Sequence, residues 1–303
     1  MPVLENYYEH LYHNPVVSLR GYCAHHRLQG SILAYLDFGG ATGSAKDGLA
    51  EGMLALAAEQ GLLAKGQPIV EASSGTFAVA LTIAARHSGH PVTLTMPEGV
   101  PDERKKLLRS LGAQLAFSSP LDGRRGAERL ALELAEAQNG YYTNYFANDL
   151  NPEYHRRVTG PNILKETDSR LDAVVIGVGS GGTITGVGEY LRAWENTVKV
   201  VAVEPYESQA IGGGFPGRHG IAGLGAGFVP ENYNPYVVDR VMAVNTGEAQ
   251  RAADEVVRTD GVPADVSGGA GLAAARLLVE KGEAARPLCV FCGRRSLEWN
   301  HSF

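Results

Sequence analysis

Residues 177 to 188, GVGSGGTITGVG, follow the apolar run LDAVVI and lead into a helical pattern. A strand, a glycine turn and a helix make an anion site, because the first helical N–H groups lack intrahelical partners and the macrodipole puts partial positive charge there. Two ligands fit the spacing. Gly177, Gly179 and Gly182 satisfy G-x-G-x-x-G, and Glu204 on the next strand pattern, VKVVAVE, stands where a ribose-binding acid belongs. That reading gives a nicotinamide-dependent oxidoreductase. Against it, Ser180 and Thr183 add hydroxyl donors beside the backbone amides, which suits the free oxygens of a terminal phosphate monoester better than a bridging pyrophosphate. A tight turn without a ligand is the plainer alternative.

Three further junctions have the same build. GGATGSAKDG (39 to 48) ends the run SILAYLD and places Lys46 at a helix start, where the dipole disfavours a cation. An isolated lysine there covers apolar surface with its stem and reaches water with its head. Its chemical alternative is a Schiff-base lysine made nucleophilic by desolvation and nearby positive charge. EASSGTFAVAL (71 to 81) offers Ser73, Ser74, Gly75 and Thr76 as carboxylate-binding hydroxyls and amides, or as helix caps. ADVSGGAGLAAA (264 to 275) sets Ser267 ahead of an alanine-rich helix, again a natural N-cap.

These junctions need elements to position them. Apolar runs that read as strands lie at 31–37, 68–72, 91–96, 113–118, 173–178, 198–204, 240–245 and 287–291, and amphipathic helical patterns lie between most of them. Continuous apolar strands alternating with helices predict parallel sheets covered on both faces, with ligands beyond the strands' carboxyl ends. The strand count fits two sheets with a cleft between them better than one wide sheet. Residues 211–230, IGGGFPGRHGIAGLGAGFVP, lack periodicity and are long for a plain connection, which marks a functional or disordered loop.

The bulk numbers exclude other classes. With 303 residues and 44% hydrophobic content the chain is globular, and a formal charge of -6 offers no basic field to nucleic acid or an anionic membrane. The start, MPVLENYYEHLYHNP, lacks the layout of a secretory signal, and no run approaches the ~20 apolar residues of a membrane span. Three cysteines make no complete disulfide framework and agree with a reducing cytoplasm. Cys289 and Cys292 read as core residues of a strand, not as a redox or metal pair, and no metal site is expected.

Taken together, NPVVSLRG (14 to 21), GSAKDG, EASSGTFAVAL, NPEYHRRVTGPNI (151 to 163), GVGSGGTITGVG, FPGRHGIAGLGAGF and VSGGAGLAAA resemble the fold-type II pyridoxal-phosphate enzymes, particularly cysteine synthases and cystathionine β-synthases. The resemblance spans nearly the whole chain. It implies a two-lobed α/β fold, tryptophan synthase β-like, with parallel-rich sheets flanked by helices. Residues 36–145 would form a small closing lobe, and 1–35 with 146–303 a large lobe holding the phosphate of pyridoxal 5'-phosphate. It places Lys46 on the Schiff-base lysine, Gly179, Ser180, Gly181, Gly182 and Thr183 on the phosphate loop, Thr76 by the cofactor's ring oxygen, and Ser267 opposite its ring nitrogen. Ser73, Ser74, Gly75, Phe77, Tyr145 and Gly223 fall to the substrate.

The implied chemistry is β-replacement. A neutral Ser267, with no carboxylate partner visible in VSGGAG, would leave the ring nitrogen unprotonated and the ring a moderate electron sink, which favours elimination and replacement over transamination. The implied reactants are a small amino acid, an activated L-serine such as O-acetylserine, and sulfide as a small nucleophile, giving L-cysteine in a cytoplasmic homodimer. O-phosphoserine, amine or thiol reactants, cysteine desulfhydration, or a catalytically weakened binding homologue are the alternatives.

This chain departs from the family pattern in several places. T-S-G-N-T-G becomes Ser73, Ser74, Gly75, Thr76, Phe77 and Ala78, so an amide donor and a carboxylate-binding threonine are gone, and a glutamine becomes Tyr145. Gly40 and Ala41 replace asparagine-proline, Gly48 replaces an arginine, and the tail VFCGRRSLEWNHSF has its own ending. Arg218, Arg294 and Arg295 are candidate charges for an anionic substrate.

Overall fold

Each of the eight apolar runs forms a strand in the computed structural model, which describes residues 11 and 13–295. Residues 296–303 of the departing tail, and most of the stretch read for a signal, lie outside the described residues. In chain order the first half holds β1 (Val16–Ser18), α1 (Arg20–His25), β2 (Leu33–Leu36), α2 (Lys46–Glu59), β3 (Ile69–Ala72), α3 (Thr76–His87), β4 (Val92–Pro97), α4 (Asp102–Ser110), β5 (Gln114–Ser118), α5 (Gly123–Ala137) and β6 (Tyr141–Tyr142). The second half holds α6 (Leu150–Tyr154), a π-helical turn (His155–Thr159), α7 (Gly160–Thr167), β7 (Ala173–Gly177), α8 (Gly182–Trp194), β8 (Lys199–Pro205), β9 (Arg240–Val244), α9 (Thr246–Asp260), α10 (Val266–Glu280) and β10 (Pro287–Phe291).

Two sheets result. One has the order β1-β2-β10-β7-β8-β9 and the other β5-β4-β3-β6. All pairings are parallel except β1 with β2, which is antiparallel. β1 and β6 have three and two residues. Strands that short leave no period to read, which is why the sequence did not show them.

Side chains leave a strand on alternate faces, so each central strand of a covered sheet feeds two cores. Val175, Val203, Cys289 and Phe291 join α9 and α10 on one face of the six-stranded sheet. Val174, Ile176, Val200 and Val290 join α7 and α8 on the other. In the smaller sheet Ile69, Val92, Leu94 and Met96 pack on α2 and α3, while Val70 packs on α5. Each fully buried large apolar side chain stabilises this arrangement by about 1.5–3 kcal/mol.

Helix α6 belongs to the second core, through Leu150 and Tyr154. Gly48 and Gly52, one turn apart on α2, make the room: a Cβ at these positions would lie 2.5 Å from the Tyr154 hydroxyl oxygen and 2.1 Å from its ring. Gly48 thus admits a tyrosine packed against the helix behind Lys46. Among the described residues no helix is long and apolar enough to cross a membrane.

Candidate active site

The carboxyl ends of β2, β3, β4, β7 and β10 open onto one cavity of about 740 Å³, within the usual range of small-ligand sites, ~300–1,000 Å³. Every residue that the family resemblance gives to the cofactor or the substrate lines it except Gly182. That residue begins α8, and a Cβ there would meet Asn151 Oδ1 at 1.7 Å. Gly182 is needed for close packing behind the turn and does not face the cavity.

The rest of the turn is wedged in the same way. A Cβ on Gly179 would lie 2.2 Å from the Gly223 carbonyl oxygen, and Gly181, at φ 83°, has the Tyr233 backbone behind it. With its rear filled and no side chain capping α8, the turn presents amides and the hydroxyls of Ser180 and Thr183 to the cavity, a cradle suited to a phosphate. Both hydroxyls are held from below. Asn151 Nδ2 donates to Ser180 Oγ at 3.2 Å and to the Tyr145 carbonyl at 3.0 Å. The His155 ring lies 3.1 Å from Thr183 Oγ1 and 2.8 Å from Thr159 Oγ1. Burial, aided by the Lys46 charge, pulls the His155 pKa down to about 3, so the ring is neutral and holds one proton between the two threonines.

Lys46 is the first residue of α2. Asp47 Oδ2 accepts from Thr42 N at 3.0 Å and Thr42 Oγ1 at 2.7 Å, folding the preceding loop over the helix start. Gly40 permits this, since a Cβ there would lie 2.4 Å from the Asp47 carboxylate. The expected neighbouring positive charge is not what surrounds the amine. Burial lowers the Lys46 pKa, but Tyr145, Cys292, Asp37 and Asp265 outweigh it and the net direction is upward. Cys292 therefore also departs from expectation. Cys289 is core, whereas Cys292 lines the cavity, its thiol pushed up to about 12 by burial.

The loop after β3 leaves its hydroxyls to the cavity. Helix α3 has Gly75 at its N-cap and no side-chain cap, so Ser73, Ser74 and Thr76 do not serve the helix in the way a capping role would require. The two departures Phe77 and Tyr145 meet each other: their rings stack with centroids 4.1 Å apart and planes at 24°. Tyr145 is held by its backbone, its N–H donating to Glu71 at 3.3 Å and its carbonyl accepting from Asn151 and from Asn232 at 2.8 Å. At the mouth, Arg124 of α5 lies 3.9 Å over the Phe228 ring, which contacts Phe146 edge-on at 5.2 Å. Arg104 and Arg294 also line the cavity, while Arg218 does not and Arg295 pairs with Asp254.

Two expectations need correction. Ser267 is not the N-cap of α10; Asp265 is, its Oδ1 accepting from Gly268 N at 2.9 Å and from Ser267 Oγ at 2.6 Å. The carboxylate absent from VSGGAG stands two residues ahead of Ser267. Glu204 cannot serve a ribose: it is buried and accepts from Ile211 N at 3.0 Å and Gly212 N at 2.9 Å, bracing the long loop. That removes the acid required by a dinucleotide. Asn151, His155 and Asp265 carried no assigned role. The first two were visible as polar residues four apart on one helical face within NPEYHRRVTG, followed by Thr159 another four on. Outside the cavity lining, His25, His26 and Glu255 form the one group among the described residues with metal-ligand side chains close together.

A lysine and a hydroxyl-rich glycine turn, facing one cavity at the strand ends of two parallel sheets, define an α/β enzyme for a small phosphorylated ligand. The chain belongs to the pyridoxal-phosphate dependent enzyme family, whose pattern matches residues 8–293. A cysteine synthase of Haemophilus influenzae is 36% identical over 285 residues, covering 91% of this chain and 89% of that protein. The structure of a cysteine synthase from Entamoeba histolytica superposes with a TM-score of 0.89 at 31% identity, covering 97% of this chain and 88% of that one. An O-ureido-L-serine synthase is equally similar, with a TM-score of 0.89 and 31% identity over 97% of this chain and 92% of its own. The wedged cradle fits the cofactor's phosphate, and Lys46 opens onto the same cavity.

Proposed function

We propose that this enzyme makes L-cysteine by replacing the β-substituent of an activated L-serine, such as O-acetylserine, with sulfide. The observation that supports it is the convergence of Lys46, the 179–183 turn and the 73–75 loop on one cavity, in a chain related to cysteine synthases. Pyridoxal phosphate, when bound, supplies an aldehyde for the substrate amine and a ring that accepts electrons from Cα. The amides of residues 179, 180, 181 and 183, with the hydroxyls of Ser180 and Thr183, would hold its phosphate, and Gly182 lets Asn151 brace them from behind. Lys46 would hold the aldehyde through its amine and would serve as the general base that takes the substrate's Cα proton. Ser73, Ser74 and Gly75 bind the substrate carboxylate, Thr76 borders the cofactor ring, Ser267 meets its nitrogen, and Phe77, Tyr145 and Gly223 shape the remaining space.

Residues 36–145 act as a small lobe that closes on the substrate and excludes water, against a larger lobe of residues 1–35 and 146–303. The protein works as a cytoplasmic homodimer.

The test is cysteine formation from O-acetylserine and sulfide by protein reconstituted with pyridoxal phosphate. Cysteine is expected from the wild type, and a borohydride-reduced cofactor adduct is expected on Lys46 by peptide mass. Lys46→Ala should lose the adduct and lower turnover by about 10²–10⁴-fold or more. Full turnover in Lys46→Ala, or no bound cofactor in the wild type, defeats the reading. The Phe77–Tyr145 stack favours one second reading, a different donor or nucleophile: O-phosphoserine, an amine, a thiol, or cysteine itself undergoing desulfhydration. Competition among these in one mixture, resolved by product mass, separates them. Binding without any product would indicate a non-catalytic homologue.

A further inference from the structure

The pair at the start of α10 has a feature that helix capping does not require. Asp265 and Ser267 both line the cavity, and Ser267 Oγ lies 2.6 Å from Asp265 Oδ1. A hydroxyl has one proton to donate, and at this distance it lies in a charge-assisted bond to the carboxylate, roughly twice as strong as a neutral one. Turning that proton toward a ligand would exchange the stronger bond for a weaker one.

The carboxylate is clamped. Its Oδ1 also receives the Gly268 N–H at 2.9 Å, and the Asp265 N–H donates to the Gly293 carbonyl at 3.1 Å. Its Oδ2 lies against Gly293, where a Cβ would come within 2.0 Å. An N-cap accounts for the bond from Gly268 but not for the one from Ser267. Lys46 and Cys292 line the same cavity, and the Asp265 charge acts on both.

We propose that Asp265 is a positioning residue that holds the Ser267 proton, so that Ser267 meets the cofactor's ring nitrogen as an acceptor and that nitrogen is kept protonated. This rests on the placement of Ser267 under the proposed function, and it reverses the consequence expected of a neutral serine acting alone. A protonated ring withdraws electrons more strongly. The chain therefore equips its cofactor with a deeper electron sink than the motif VSGGAG implies.

The experiment uses pyridoxal phosphate isotopically labelled at the ring nitrogen, loaded into the wild type and Asp265→Asn, and read by nitrogen NMR against free reference compounds with protonated and unprotonated rings. Asparagine caps helices as well as aspartate does, so α10 should persist, which far-UV circular dichroism checks. The wild-type signal is expected at the protonated position. In Asp265→Asn it should move by at least half the separation between the references. Asp265→Ser, which also caps but carries no carboxylate, gives the same readout should the asparagine variant fail to fold. A wild-type signal at the unprotonated position, or one unmoved by loss of the carboxylate, overturns the proposal. If the label is not retained and no reduced adduct forms at residue 46, the parent reading falls with it; retained label with an unprotonated ring defeats this proposal alone.

Discussion

Phe77 and Tyr145, two residues that set this chain apart from the pattern it resembles in sequence, are partners in the fold. Stacked rings of this geometry contribute about 0.5–1.5 kcal/mol beyond the area they bury. A double-mutant cycle with Phe77→Leu and Tyr145→Leu, followed by urea unfolding, should give a coupling energy in that range; additivity would show that the rings are neighbours without a specific attraction. Phe77→Ala alone should cost about 3–5 kcal/mol, since it opens a cavity in a site that is 4% exposed. Lys46 and the hydroxyl residues of the turns were legible because their types are unusual where they stand: a cation at a helix start, hydroxyls crowded beside glycines. Asp265 was not. Its relation to Ser267 depends on two residues of helix-entry backbone that turn both side chains the same way, and no periodicity announces that.

At the scale of elements, a strand and the π-helical turn beneath the cradle carry two buried groups with opposite acid–base behaviour. Glu71, on β3, is pushed by burial from its ordinary 4.5 up to about 8. Between those values the folded protein keeps a proton that the unfolded chain has lost, so stability falls as pH rises through the window. His155, beneath the cradle, is pulled from 6.5 down to about 3. There the unfolded chain binds the extra proton, and stability falls as pH drops from 6.5 toward 3. Melting temperature against pH should therefore decline on both sides. Glu71→Gln should flatten the alkaline limb and His155→Asn the acid limb; an unchanged profile in either variant removes that group as a cause. The elements themselves were largely readable, because buried parallel strands and the helices covering them have strong periods. What escaped was the polar support: Asn151, His155 and Thr159 recur every four residues, but in sequence a buried polar stripe at that spacing looks the same as the solvated face of an ordinary helix.

For the whole molecule, strand ends of both sheets open onto the cavity, and Arg124 of α5, which lines it, lies over Phe228 of the long loop before β9. An exposed cation–π contact contributes about 0.5–1 kcal/mol. Arg124→Ala should accordingly raise hydrogen exchange in residues 206–234 by a few-fold while leaving the melting temperature nearly unchanged; exchange confined to wild-type rates would show that the contact holds nothing shut. The long aperiodic stretch at 211–230 was recognisable as unusual, and its purpose becomes clear only in three dimensions, where Ala222, Gly223, Leu224 and Ala226 wall the cavity.

The chain's three cysteines, finally, share one condition. Burial raises the pKa of Cys23, of Cys289 and of Cys292, the last to about 12. Only the thiolate readily attacks peroxide or alkylating agents. An enzyme whose thiols are all kept protonated in this way should pass through oxidative stress with its cysteines unmarked, peptide mass spectra after peroxide treatment showing no sulfenic or sulfinic acid at any of these three positions.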